Sequence, residues 1–88
     1  MSKTWFVYIL RCADDSLYVG ITNDVAARVA AHNVGAGARY TRQRRPVRLV
    51  FKEAHSDESS ARKREAELKG WPRQRKLALI EGSLPSSA

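Results

Sequence analysis

Eighty-eight residues leave room for one small domain, and 16 Lys and Arg against 9 Asp and Glu give it a net charge of +7. A single cysteine, Cys12, excludes an internal disulfide and any paired-cysteine metal site. The opening MSKTWFVYIL carries an apolar run that breaks at Arg11, too short for a membrane span or a signal-peptide core, so a cytoplasmic protein without membrane contact is expected.

Residues 4–12 are rich in aromatic and β-branched side chains, as are residues 17–22, and the polar ADDS between them reads as a turn joining two strands. Thr22, Asn23 and Asp24 offer N-cap oxygens for a helix over residues 25–33, which the glycines of VGAGA stop. An arginine-rich loop then leads to Pro46. Beyond it VRLVF sets Val47, Leu49 and Phe51 against Arg48, Val50 and Lys52, the alternation of a half-buried third strand. Ser56 and Asp57 can cap a helix over residues 58–69 that ends at Gly70. Pro72 suits the first turn of a last helix over residues 72–81, with Leu77 and Ile80 inward and Gly82 closing it. The expected order is ββαβαα, an α/β fold in mixed order whose small three-stranded, mostly antiparallel sheet is flanked by helices. It would occupy residues 1–82 as one domain, leaving residues 83–88 as a flexible tail.

The basic charge is unevenly placed. No acidic residue stands between Val25 and Lys52, a stretch that holds Arg28 and, further on, ARYTRQRRPVR, in which five arginines surround Tyr40. That composition suits phosphate forks and stacking on bases or sugars. A nucleic-acid partner is therefore expected to meet Arg39, Tyr40, Arg42, Arg44, Arg45 and Arg48. The alternative is a solvated basic loop that serves solubility alone.

Three groups of side chains could carry chemistry. Arg28 and His32 are four apart on the first helix, so they share a face and can converge on one ligand; the alternative is a surface arginine beside a histidine that merely packs. On the second long helix Ala61 and Leu68 mark an apolar stripe, and Glu65 falls on it, whereas Glu67 faces away beside Lys63 and Arg64. A carboxylate aimed at a small core is destabilising unless a cation meets it. Either an arginine pairs with Glu65, or Glu65 holds Mg²⁺ or Mn²⁺ through oxygen. Tyr8 and Tyr18 could donate to phosphate oxygens or, deprotonated, act as bases, although a phenol pKa near ~10 opposes the second role unless a cation lowers it. The alternative for both is an aromatic ring packed on the sheet. His55, in AHSD, reads as a loop residue, and Cys12 as a small buried apolar group.

In this order the residues resemble the GIY-YIG nuclease superfamily, in particular its small stand-alone bacterial members. The first signature triplet reads Phe6-Val7-Tyr8 and the second Tyr18-Val19-Gly20; Arg28, His32 and Glu65 follow in family order, and the match spans residues 4–80. The resemblance implies hydrolysis of a phosphodiester bond in DNA with one divalent metal ion, Mg²⁺ or Mn²⁺, and ranks DNA ahead of RNA as the nucleic-acid partner. It makes Glu65 the metal ligand and Tyr8 the general base or water-positioning hydroxyl. Tyr18 and His32 would support Tyr8 around the scissile phosphate, and Arg28 would stabilise the growing charge. The Gly of the first triplet is absent, Phe6 standing in its place, Ile21 stands where some members carry Lys, and no asparagine follows Asn33 although many members place one after the metal-ligand helix. Related nucleases usually carry a separate DNA-recognition domain, so a partner protein would supply targeting here.

The resulting expectation is a metal-dependent DNA endonuclease that prefers structure over sequence, of the kind DNA repair or recombination uses, with exposed bases stacked on Tyr40 or Trp71. Against it stand a non-catalytic nucleic-acid-binding module that keeps the fold, and an adaptor for an acidic protein. The nuclease reading imposes a test of parity. Side chains alternate along a strand, so a regular even-numbered ADDS loop would pair Cys12 with Leu17 and send Tyr8 and Tyr18 to opposite faces. A connection of three or five residues, or a β-bulge, is therefore expected.

Overall fold

The computed structural model describes residues 4–82; the expected tail over residues 83–88 lies outside them. Strand β1 (Trp5–Arg11) is central, between β2 (Leu17–Thr22) and β3 (Arg48–His55), and both of its neighbours run antiparallel to it. Its central place follows from composition: Val7, Tyr8, Ile9 and Leu10 are all buried, which only a strand covered on both faces can offer.

The hairpin resolves the parity question. Arg11 pairs with Leu17, so residues 12–16 form a five-residue connection, closed by the Cys12 N–H on the Ser16 carbonyl at 2.9 Å. Asp15 takes the left-handed backbone region within it (φ 72°), which aspartate tolerates better than most residues. Tyr8 then lies opposite Gly20, and Tyr18 opposite Leu10, so both tyrosines face the same side of the sheet.

Helices α1 (Val25–Asn33) and α3 (Glu58–Lys69) begin where their caps dictate. Asp24 accepts the Ala27 N–H at 3.1 Å, and Asp57 accepts the Ser60 N–H at 2.7 Å. Helix α4 (Arg73–Ile80) starts one residue later than expected, with Pro72 as its N-cap. The expected loop before β3 is corrected: a short helix, α2 (Arg39–Arg42), interrupts it, so the order is ββααβαα. Asn33 fixes the far end of that segment, donating to the Val47 carbonyl at 3.0 Å and accepting the Val47 N–H at 2.7 Å.

The alternation expected for β3 is corrected too. The register shifts between Ile9 and Leu10, which face Phe51 and Leu49, and Val50 is the extra residue of a β-bulge. Val50 and Phe51 both pack inward, and Leu49 is left exposed. His55, expected in a loop, is the last residue of β3 and bonds to Glu53 at 2.8 Å. Arg64 of α3 reaches the same carboxylate at 3.1 Å, tying helix to strand.

The core divides by the pleat. Val7, Ile9 and Val19 pack against Ala61 and Leu68 of α3 and Leu79 of α4. On the opposite face Tyr8, Leu10 and Cys12 pack with Val47, Tyr18 and Val29 of α1. No helix among the described residues is long and apolar enough to cross a membrane.

Candidate active site

The face that carries both tyrosines also receives His32. Its ring is fully buried, and its Nε2 lies 3.0 Å from the Tyr8 hydroxyl. The His32 and Tyr18 ring centroids are 5.3 Å apart, and those of Tyr8 and Tyr18 are 6.5 Å apart. Gly20 makes this crowding possible. A Cβ built there would come within 2.5 Å of the Tyr8 hydroxyl oxygen, so the glycine of the second triplet is required for space. Gly37 does the same for the imidazole, because a side chain at that position would run into the His32 ring.

The ring's other nitrogen is also bonded. His32 Nδ1 is 2.7 Å from the Thr41 hydroxyl, which in turn donates to the Ala38 carbonyl at 3.0 Å. A hydroxyl has one proton to give, so with that proton on Ala38 the Nδ1–H donates to Thr41 and the bare Nε2 accepts from Tyr8. The Ala38 N–H also points at Nδ1, at 3.4 Å, and is the weaker of the two contacts there beside the 2.7 Å bond to Thr41.

Electrostatics place the proton on Tyr8. Burial raises the Tyr8 pKa; hydrogen bonding and charge from the Arg28 guanidinium beside it pull the other way without prevailing, and the charges of Tyr18 and Glu65 add to the rise. Burial, followed by the positive charge of Arg28, holds the His32 pKa below its ordinary value of 6.5. The resting couple near neutral pH is thus a phenol bonded to a neutral imidazole.

Glu65 stands at the margin, with its side chain 20% exposed. Its partner is a lysine on its own helix rather than an arginine: Lys69 Nζ lies 3.2 Å from Oε2. No cluster of three or more His, Cys, Asp or Glu side chains able to hold a metal occurs among the described residues. A caged metal therefore does not fit this donor set. A magnesium-like ion does fit, since it can be held by one carboxylate together with waters and substrate phosphate.

Of the five expected site residues, Tyr8 and His32 are in contact and buried, while Tyr18, Arg28 and Glu65 are half-buried around them. Among the described residues no open cleft exposes all five, because Tyr8 and His32 are buried. What opens to solvent is a groove of about 210 Å³ lined by Leu17, Tyr18, Val19, Tyr40, Lys69 and Lys76. A separate hollow lined by Cys12, Pro46, Val47 and Arg48, among others, holds none of the five.

The arginine-rich segment sorts into two kinds. Arg44 donates to Asp14 at 3.0 Å and to the Tyr40 carbonyl at 2.8 Å, and its guanidinium lies 3.9 Å over the Tyr40 ring. Arg45 donates to the Arg42 carbonyl at 2.8 Å and the Asn33 carbonyl at 3.4 Å, at the ends of α2 and α1. Both hold the segment in shape. Arg39, Arg42 and Arg48 are exposed and form no ion pair among the described residues. Tyr40 stacks on Tyr18, their centroids 6.0 Å apart and planes at 25°. Sequence reasoning missed Thr41, Gly37 and the role of Gly20. None of the three has a periodicity or spacing that marks it; only the ring that lands on each does.

The model of the GIY-YIG catalytic domain family matches residues 4–78. Over 76 residues the chain is 54% identical to a UPF0213 protein of Staphylococcus haemolyticus and 55% identical to one of Staphylococcus aureus, spanning 86% of this chain and 93% of each relative. Its backbone is similar to the solution NMR structure of the UPF0213 protein BH0048 from Bacillus halodurans, with a TM-score of 0.58 and 42% identity over 89% of this chain and 83% of that one. The solution NMR structure of protein EF2693 from E. faecalis aligns with a TM-score of 0.61 and 32% identity, covering 100% of this chain and 97% of that one.

Proposed function

We propose that this chain, which belongs to the GIY-YIG catalytic domain family and to its small bacterial UPF0213 group, is a divalent-metal-dependent endonuclease that hydrolyses phosphodiester bonds in DNA. The observation that carries this reading is the buried bond between the Tyr8 hydroxyl and His32 Nε2, 3.0 Å long, with Arg28 beside it. A packing role explains buried aromatic rings; it does not require a phenol, a neutral imidazole and a guanidinium to meet at one oxygen.

Because burial holds Tyr8 as a phenol, it works as a relay rather than as a standing phenolate. As water gives a proton to the Tyr8 oxygen, Tyr8 passes its own proton to His32 Nε2, and the oxygen of the water forms its bond to phosphorus. The P–O bond to the leaving oxygen then breaks, that oxygen takes a proton from solvent water, and the proton held on His32 returns to solvent, so that one water is consumed overall. Arg28 restrains Tyr8 at rest. Drawn onto a phosphate oxygen, it would free the phenol oxygen to accept from water and would offset the charge growing on phosphorus. Tyr18 packs beside both rings of the couple. Glu65 would hold the metal ion, which supplies charge neutralisation at the phosphate when bound. Lys69 and Lys76 line the groove beside Tyr18 and would meet neighbouring phosphates there, Lys69 on leaving its pair with Glu65. With backbone contacts of this kind in place of a reading helix, selection would be by DNA structure rather than by sequence.

The Lys69–Glu65 ion pair favours a second reading, a nucleic-acid-binding module in which lysine permanently occupies the carboxylate. Cleavage of labelled single-stranded, duplex, flap and branched DNA with Mg²⁺ or Mn²⁺ separates the two. The nuclease reading expects cutting that chelator abolishes and that Glu65→Gln lowers by at least about 10²-fold. Binding without cutting, unchanged by Glu65→Gln, would select the binding module.

A further inference from the structure

Thr41 is fully buried, polar, and carried by a helix of only four residues. We propose that Thr41 is a positioning residue that sets the tautomer of His32, accepting its Nδ1–H so that the Nε2 lone pair faces the Tyr8 proton. For its catalytic consequence this rests on the nuclease reading above; the tautomer itself rests on geometry alone.

The Ala38 carbonyl can only accept, so the 3.0 Å bond to it consumes the single Thr41 proton and leaves a Thr41 lone pair for the imidazole at 2.7 Å. In the opposite tautomer Nε2–H would point at the Tyr8 oxygen. Tyr8 could then no longer pass its proton to His32, and the relay would stop at its first step. The local chain conformation serves this placement. Gly37 lets the backbone cross the imidazole face where no other residue would fit, and Ala38 then caps α2 so that Thr41 points back at the ring three residues later. A fully buried threonine in an otherwise exposed arginine-bearing helix has no comparable account as packing, since valine would fill the same space without needing partners.

The groups that face His32 are Tyr8 from β1, Tyr18 from β2, Arg28 from α1 and Thr41 from α2. When His32 takes the Tyr8 proton it becomes an imidazolium. Its Nδ1–H remains on Thr41, so the second role of Thr41 is to stabilise the charged ring during turnover.

The test is the ¹⁵N-edited long-range spectrum of the His32 ring near neutral pH, recorded on the full chain with no DNA or metal added, for wild type, Thr41→Ser and Thr41→Val. Wild type and Thr41→Ser should show the Nδ1–H tautomer as the dominant form, and Thr41→Val should shift the population by several-fold toward Nε2–H. In cleavage, Thr41→Val should lower kcat by about 10–100-fold with KM little changed and displace the acid limb of the pH profile, while Thr41→Ser stays within about threefold of wild type. An Nε2–H tautomer in wild type overturns the proposal, and that spectrum is readable whether or not Thr41→Val folds. An unchanged tautomer in folded Thr41→Val also overturns it. If wild type cuts no DNA, the nuclease reading fails, and the spectra still decide the tautomer.

Discussion

On the face that carries α3 and α4, Val7, Ile9 and Val19 meet Ala61, Leu68 and Leu79, all apolar and all buried; on the opposite face, the buried set includes a phenol, an imidazole and a threonine hydroxyl. Both sets are anchored on β1, and a shift of one residue along that strand moves from one to the other. The first face is held by removal of apolar surface from water, which is nondirectional and tolerates changes that preserve volume. The second is a chain of directed bonds in which each polar atom depends on the next, so it tolerates almost nothing. Alternation along one strand thus keeps the apolar residues that stabilise the fold apart from the Tyr8–His32–Thr41 chain, while Glu65 is supplied from α3 on the other side.

The sharpest way to break this division is Tyr8→Phe. It keeps the ring but removes the hydroxyl, so cleavage should fall by about 10²–10⁴-fold, and the orphaned Nε2 should lower stability by about 1–3 kcal/mol in urea titration. Retained cleavage would remove Tyr8 from the relay. Leu68→Ala is the converse: the cavity under α3 should lower stability by about 2–5 kcal/mol while the folded protein keeps its kcat. A smaller effect concerns pH. The His32 pKa is lowered on folding, so the unfolded chain takes up the proton first as pH falls through 6.5. Stability is therefore present above that value and declines below it. Melts from pH 8 to 5 should show the decline, and Leu68→Ala, damaged on the other face, should show the same slope.

The smallest expected effect separates the arginines. Arg42→Ala should weaken DNA binding severalfold and reduce the salt slope by about one, as the loss of a phosphate contact does. Arg44→Ala removes a bond to Asp14 and a cation on Tyr40, so it should lower the melting temperature and leave the slope nearly as it was.

Much of this was legible in the residues, and the reason differs from element to element. Helices α1 and α3 could be placed to the residue because Asp24 and Asp57 cap them and glycines follow them. The odd-numbered hairpin connection could be inferred from the need to put two tyrosines on one face, although the turn residues alone suggested the opposite. Helix α2 was not legible: four residues carry no periodicity, and Ala38 makes no side-chain cap. The bulge at Val50 was hidden for a related reason, because VRLVF alternates whether or not one residue is extra. The Glu53–Arg64 pair and the roles of Gly20, Gly37 and Thr41 depend on contacts between distant segments, which spacing along one segment does not encode. Arg44 and Arg45 look in sequence like their neighbours Arg39 and Arg42, and only the carbonyls and carboxylate within their reach distinguish them.

An open sheet edge invites a strand from another molecule, and β3, the eight-residue strand at one side of the sheet, is such an edge. The bulge at Val50 breaks the even spacing of its outward amides and carbonyls, and the exposed Arg48 and Lys52 set positive charge on either side of the break. A second copy approaching in register would have to match an irregular ladder and bring like charges together. The irregularity that turns Val50 inward therefore also disfavours pairing between two β3 edges, β3 being the longer of the two edges of this sheet.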